Sequence, residues 1–270
     1  MELESQQASF RKRGLAVAAL SYDSPEVLKD FAARRGITYP LLSDRGSAAI
    51  QSFGLLNPEY PEGHMAHGVP YPGVLIVDER GIVREKYFEE KYTNRRTAAS
   101  ILALLGGEGP SGRATRAPHL AVRTAPETVD ALAGSRITLV VEVQLDKGLH
   151  AYAPGAGSYR PLRLALEADS HFVVHEPVLP APHPFEFKPL HETVPVFEGR
   201  IRILQDQTVV GEKELADVLA TPEKTLPVRG TLEYQVCSDS TCFPPASMPV
   251  SWIVRLRPLD RERAPASLRR

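Results

Sequence analysis

The sequence predicts two structural units in series, an α/β unit over residues 1–106 and an all-β sandwich over residues 118–257. Three observations predict this. Apolar runs alternate with helical segments in the first part, apolar and polar residues alternate along short runs in the second, and a Gly/Pro/Ser-rich stretch joins them. A chain of 270 residues is also long enough for two domains that each bury a core.

In chain order, residues 1–13 read as a helix that starts without a cap. Gly14-Leu-Ala-Val-Ala-Ala-Leu20 reads as a buried strand, and it leads into Ser24 as N-cap and Pro25 as the first helical residue. That helix runs to Arg35 and stops at Gly36. Ile37 to Leu42, a short helix near Ser47 to Phe53, a strand at Ile82 to Phe88 and a helix from about Asn94 to Leu105 complete the unit. Val74 to Val77 is a continuous apolar run and is expected to be a central strand.

Gly106 to Pro118 has no periodicity and reads as a flexible linker, which sets its bounds at 107–117. Beyond it, Ser135 to Leu145, Leu162 to Leu166, Ile201 to Leu204, Leu226 to Val236 and Val250 to Leu256 alternate as half-buried antiparallel strands do. The Pro-rich segment Pro177 to Pro189 is expected to be loop, and Trp252 to be core. Residues 258–270 are charged and poor in apolar residues, and read as a disordered tail.

Both cysteines of the chain lie in Tyr234-Gln-Val-Cys237-Ser-Asp-Ser-Thr-Cys242-Phe-Pro-Pro245. The residues before Cys237 read as a strand end, and Ser-Asp-Ser-Thr is turn material, because short side-chain oxygens bond nearby N–H groups. A reversal there brings the two Cα atoms to about 5.5 Å, the distance a disulfide needs. Three readings stay open: redox exchange, a structural bond, and a metal site or idle thiols. So short a loop removes little entropy from the unfolded chain, which weakens the structural reading. A closed zinc site wants four ligands and none stands nearby at finger-like spacing; His183 and His191 approach only through the fold. No metal and no cofactor are expected. Asp239 opposes a thiolate, and the local sequence places no Lys, Arg or His beside the pair.

The net charge of -1 argues against nucleic acid as a partner. No apolar run approaches the roughly 20 residues that span a bilayer, so direct membrane insertion is not expected. The opening residues, acidic and polar, do not resemble a signal peptide.

Val17-Ala-Ala-Leu-Ser-Tyr-Asp23, Tyr39-Pro-Leu-Leu-Ser-Asp44 and Tyr71-Pro72-Gly73-Val-Leu-Ile-Val-Asp78-Glu-Arg-Gly81 resemble the thioredoxin-like redoxins of the AhpC/TSA group over residues 1–106. The resemblance implies a cis-proline at Pro72 and a hairpin turn at Asp78 to Gly81. It also implies a reactive cysteine after a first strand, at the start of the helix with which this chain opens. That strand and that active-site segment are absent, so the unit reads as incomplete, and the expectation is a start that lies too late.

Lys147-Gly-Leu-His-Ala-Tyr152, Tyr234 to Cys237 and Cys242-Phe-Pro-Pro245 resemble the N-terminal domain of DsbD-type thiol:disulfide interchange proteins, an immunoglobulin-like sandwich, over residues 118–257. The resemblance implies that Cys237 and Cys242 cycle between dithiol and disulfide as the catalytic pair. It implies shielding by Phe185 or Phe187, a site lined by Tyr152 and Tyr234, and thioredoxin-fold redox partners. The electron donor is then a separate membrane protein, and the location periplasmic or otherwise exported. The alternatives are a peroxiredoxin-like or reductase enzyme with its cysteine in a missing segment, and a non-catalytic docking module with a structural disulfide.

Overall fold

A computed structural model describes residues 2–64, 67–89, 94–106, 114–187 and 192–268. The chain divides into two compact units, residues 1–102 with 259–270, and residues 103–258.

The first unit opens on two short helices, α1 (Glu2–Ser5) and α2 (Gln7–Arg11), where the sequence reads one. Strand β1 (Ala19–Ser21) pairs in parallel with β2 (Leu41–Ser43) across helix α3 (Pro25–Arg35). The ends of α3 follow from its sequence. Ser24 accepts the Val27 N–H at 3.4 Å, Pro25 takes the first turn, and Gly36 at φ 61° closes the helix in the left-handed region that glycine alone enters freely. Helix α4 (Ala48–Ser52) is capped by Asp44, whose carboxylate accepts the N–H groups of Ala49 and Ile50 at 3.1 and 2.8 Å.

Strands β3 (Gly73–Val77) and β4 (Val83–Phe88) form a hairpin, with Asp78 accepting from the N–H groups of Arg80 and Ile82 in the turn. Strand β5 (Arg95–Arg96) and helix α5 (Ala98–Leu104) follow. Two expectations need correction. Strand β3 is not a central strand among the described residues: β4 is its one neighbour, and Val74 and Val77 are exposed because no second strand or layer covers them. Nor is Pro72 in cis, the form that only about 5 to 6% of X-Pro bonds take. The cis bond among the described residues joins Ala125 to Pro126. Tyr71, whose N–H reaches Leu55 O at 2.8 Å, enters Pro72 through an ordinary trans bond.

The second unit is rich in strands: β6 (Thr115–Ala117), β7 (Leu120–Ala125), β8 (Thr128–Ala131), β9 (Ser135–Leu145), β10 (His150–Tyr152), β11 (Arg163–Leu166), β12 (Phe172–Val174), β13 (His183–Phe187), β14 (Glu192–Glu198), β15 (Arg200–Val209), β16 (Thr225–Tyr234), β17 (Val236–Cys237) and β18 (Ala246–Leu256), with one short helix, α6 (Ala216–Leu219). One sheet runs β12-β15-β9-β7-β6, a second β11-β16-β18-β8, and a third β13-β14-β10-β17. All three feed one core. Leu139 and Ile203 come from the first sheet, Leu232 and Trp252 from the second, and Ala151, Phe197 and Val236 from the third.

Strands β16 and β18 alternate in burial as their sequence does. Strand β9 does not, because its second face is also buried. Polar groups there are matched across the ladder: Arg136 and Thr138 bond Asp206 on β15 at 3.0 and 2.5 Å, and Glu142 pairs with Arg200. Two segments expected to be irregular hold strands. Residues 115–117 of the expected linker form β6, while residues 107–113 lie outside the described residues. His183 to Phe187 forms β13 rather than loop, and its proline is tolerated because β13 is an edge strand.

Among the described residues no helix is long and apolar enough to cross a membrane. Trp252 is only 1% exposed and sits in the shared core. Trp252→Ala should therefore cost about 3–5 kcal/mol, as large-to-small core changes do. Urea unfolding of the full chain checks this, and a loss under about 1 kcal/mol would place the indole outside the core.

Candidate functional site

The third sheet has two unlike faces, and the difference is a matter of strand period. Ala151, Phe197 and Val236 turn to the central core. Their neighbours one step along point the other way, and Tyr152, Val196 and Cys237 form a separate small cluster, with Tyr159, Phe185 and Val194 packed on it. Antiparallel register sets His150 opposite both Cys237 and Glu198, and Tyr152 opposite Val196.

The cysteine segment closes as its residue types dictate. Cys237 and Cys242 face each other in an antiparallel bridge, are joined as a disulfide, and have Cα atoms 4.1 Å apart. Ser238 holds the turn: its hydroxyl oxygen accepts the N–H groups of Ser240 and Thr241, and its own N–H reaches Thr241 O at 2.8 Å. Below the turn, the Phe243 N–H returns to Val236 O at 3.0 Å, and the Phe243 ring stacks on His119 at 3.7 Å. The two sulfurs are unequal. Cys237 is 1% exposed, whereas Cys242 is exposed.

Tyr152 lies against both. Its hydroxyl donates to Cys237 Sγ at 3.1 Å and lies 3.4 Å from Cys242 Sγ. The Tyr159 ring stacks on Tyr152 at 4.2 Å and is tethered through its own hydroxyl to Glu192 at 3.1 Å. Burial, with the nearby Tyr159 and Glu192 adding to it, pushes the Tyr152 phenol up to about 12. It is consequently a neutral donor throughout the physiological range.

Of the shielding candidates, Phe185 joins this cluster and its ring lies 4.1 Å from that of His150. Phe187 is opposite Glu192 at the far end of β13 and is not part of the cluster. Tyr234 is drawn into the central core instead, 2% exposed, with its hydroxyl on Pro118 O at 3.3 Å. Pro72 belongs to the other unit.

His150 is the residue that local sequence reasoning passed over. It is 3% exposed, its ring meets Tyr152 edge-on at 5.6 Å, and burial pushes its imidazole below the usual histidine range. Spacing held the signal: His150 stands two before Tyr152 on one strand, so both side chains share a face. His183 lies on β13 beside Glu198 at 3.5 Å; His191 lies outside the described residues. Among the described residues no group of three His, Cys, Asp or Glu side chains is placed to hold a metal.

A disulfide on a β-rich domain, with a tyrosine hydroxyl against its sulfurs, is equipped for thiol–disulfide exchange, and a family of thiol:disulfide interchange domains matches this part of the chain. The chain belongs to that family: the model described as thiol:disulfide interchange protein DsbD, N-terminal, matches residues 116–250. The AhpC/TSA family model matches residues 1–86, which makes the first unit a thioredoxin-like region. Together with the cysteine pair at disulfide distance, these domains support a redox role.

Putative peroxiredoxins of two Mycobacterium tuberculosis strains are 32% identical over 84 residues, 31% of this chain and 53% of theirs. The chain thus spans about half the length of these curated relatives. Among solved structures, the N-terminal periplasmic domain of ScsB from Proteus mirabilis is 15% identical at a TM-score of 0.37, covering 52% of this chain and 49% of that one. The DsbD N-terminal domain of Neisseria meningitidis in its reduced form is 15% identical at a TM-score of 0.29, covering 42% and 74%.

The raised pKa of Tyr152 has a sign. A phenol held neutral by the fold contributes stability that is complete below its unfolded value of about 10 and is lost as pH rises toward about 12. Near-ultraviolet phenolate titration of the wild type minus Tyr152→Phe should place this tyrosine's midpoint near the higher value. A midpoint at the ordinary tyrosine value would put its hydroxyl in water.

Proposed function

We propose that the chain is a thiol:disulfide exchange protein that relays electron pairs through Cys237 and Cys242. The observation that carries the reading is the inequality of the two cysteines, Cys242 exposed and Cys237 buried with the tyrosine hydroxyl nearer its sulfur. A partner thiolate attacks the exposed Cys242 Sγ in line with the S–S bond, and a mixed disulfide forms there. The electron pair of the broken bond leaves on Cys237 Sγ, where the Tyr152 O–H stabilises the nascent thiolate. The partner's second thiolate then attacks its own sulfur in the mixed disulfide and frees Cys242. One disulfide has been exchanged for one dithiol. Every step runs in reverse with a disulfide partner.

The partners in this reading are thioredoxin-fold redox proteins, with a separate membrane protein as electron donor, in the periplasm or another oxidising compartment. Membership of the DsbD N-terminal family supports both points. We also take the β-rich unit to be an immunoglobulin-like sandwich, which the period-two burial of β16 and β18 around one core supports. Phe185 over His150 serves as the shield. The rival reading, thiol peroxidase chemistry in the first unit, is favoured by the AhpC/TSA match and the mycobacterial relatives. It requires a cysteine that residues 1–236 do not contain.

Two outcomes are expected. Equilibrated against glutathione or dithiothreitol, the couple should titrate between about -120 and -270 mV, the range of exchange proteins; a value below about -300 mV would mark a structural bond. In trapping with an oxidised thioredoxin-fold protein, Cys237→Ser should accumulate a mixed disulfide through the exposed Cys242, and Cys242→Ser should accumulate at least about tenfold less. Equal trapping by both variants would contradict the assigned order of attack.

A further inference from the structure

The exchange chemistry leaves one proton without a carrier. When Cys237 closes the disulfide it must first lose its S–H proton, and it does so 1% exposed to water. Tyr152 is not the acceptor, since a phenol that stays neutral is far too weak a base to take up a thiol proton. We propose that His150 is the base that takes this proton as Cys237 attacks and returns it when Cys237 leaves; the inference rests on the exchange reading above.

Three observations place it. His150 stands directly opposite Cys237 in the β10–β17 ladder, which puts the two Cβ atoms about 4.5–5.5 Å apart on one face. Tyr152, two residues along on that same face, touches Cys237 Sγ, so the face is the one on which the sulfur lies. The imidazole is 3% exposed, closed in by the Phe185 ring at 4.1 Å and by the edge of Tyr152 at 5.6 Å. It is thus neighbour to the buried sulfur and remote from the solvent that serves the exposed one.

The charge environment suits a base. Burial favours the neutral imidazole, and His183 from β13 works the same way. Glu198 from β14 and Asp239 from the cysteine turn oppose them, and by doing so stabilise the imidazolium once it forms. Cys237 on β17 and Tyr152 on β10 complete the ionisable groups that face the ring.

With an external disulfide R–S–S–R as oxidant the step balances. The Cys242 thiolate attacks one sulfur, releasing the first RS⁻ and leaving Cys242–S–S–R. The Cys237 S–H proton passes to His150, the Cys237 sulfur attacks Cys242 Sγ, and the second RS⁻ departs. The two electrons taken from the dithiol reside on the two RS⁻ ions, and the imidazolium gives up its proton to one of them or to water.

The experiment follows ring closure in the full chain. Reduced protein is mixed with oxidised glutathione, quenched with acid, and the glutathione-bound and closed forms are separated by mass across about pH 5.5 to 9.5, from about one unit below the ordinary histidine pKa to about one unit above the ordinary thiol pKa. The wild-type closure rate should bend at the pKa that NMR titration gives for His150 and level off above it. His150→Phe should close at least about tenfold more slowly at neutral pH, in keeping with the effect of a lost general base. Its rate should climb about tenfold per pH unit until the thiol itself ionises. His150→Gln should behave likewise, and near-ultraviolet circular dichroism confirms that each variant is folded.

A wild-type profile that tracks only the cysteine pKa overturns the inference even if both variants fail to fold. So does closure within twofold of wild type in a folded variant. Wild-type protein that forms no glutathione adduct, or never closes one, defeats the exchange reading itself and is distinguished by that.

Discussion

The site depends on one constraint, the double pairing of a three-residue strand. β10 is held on one side by β14 and on the other by β17, and each pairing fixes a register. The first puts Tyr152 opposite Val196; the second puts His150 opposite Cys237. A slip of one residue in either ladder would turn His150 and Tyr152 into the core and bring Ala151 out to the sulfurs. Ala151, Phe197 and Val236 prevent it, because their burial in the central core fixes which face of the third sheet is left for chemistry. Core packing and site geometry are thus one problem, solved by the alternation of side chains along a strand.

From that constraint the electrostatics follow. A sulfur on the inner side of β17 is buried, and one five positions later on the return of the tight turn is exposed. Two of the aromatic groups that bury the first are polar at one end. Tyr152 brings a hydroxyl, and Tyr159 is aimed by its bond to Glu192. A purely aliphatic lining would have buried Cys237 as well but left a nascent thiolate with no donor.

Much of this was legible in the sequence, and what escaped is instructive. Ser135 to Leu145 matches β9 residue for residue, and Ser24, Pro25 and Gly36 bound α3 as written, because capping and periodicity are local. Ser-Asp-Ser-Thr encoded its turn for the same reason. The failures involve tertiary partners. Val74 to Val77 has the composition of a covered strand but finds one neighbour among the described residues. Tyr234 adjoins the cysteines in sequence but is drawn to the core by the period of β16, whereas His150 is 87 residues from Cys237 and is brought beside it by the ladder. Phe185 and Phe187 are equivalent in sequence, and only the register of β13 decides that the first reaches the cluster.

The outer strand of the third sheet carries one more consequence. Pro184 of β13 faces Pro195 of β14, and two residues without N–H groups can confront each other only at a non-hydrogen-bonded position. The amide that Pro184 lacks is accordingly the one that would have pointed away from the sheet. Along this margin, the outer one among the described residues, a donor is missing where another chain would have to pair, which makes β13 a poorer template for strand addition. On the proposed reading, a redox partner would reach the disulfide over the face of the sheet, with its side chains, rather than by pairing with this edge.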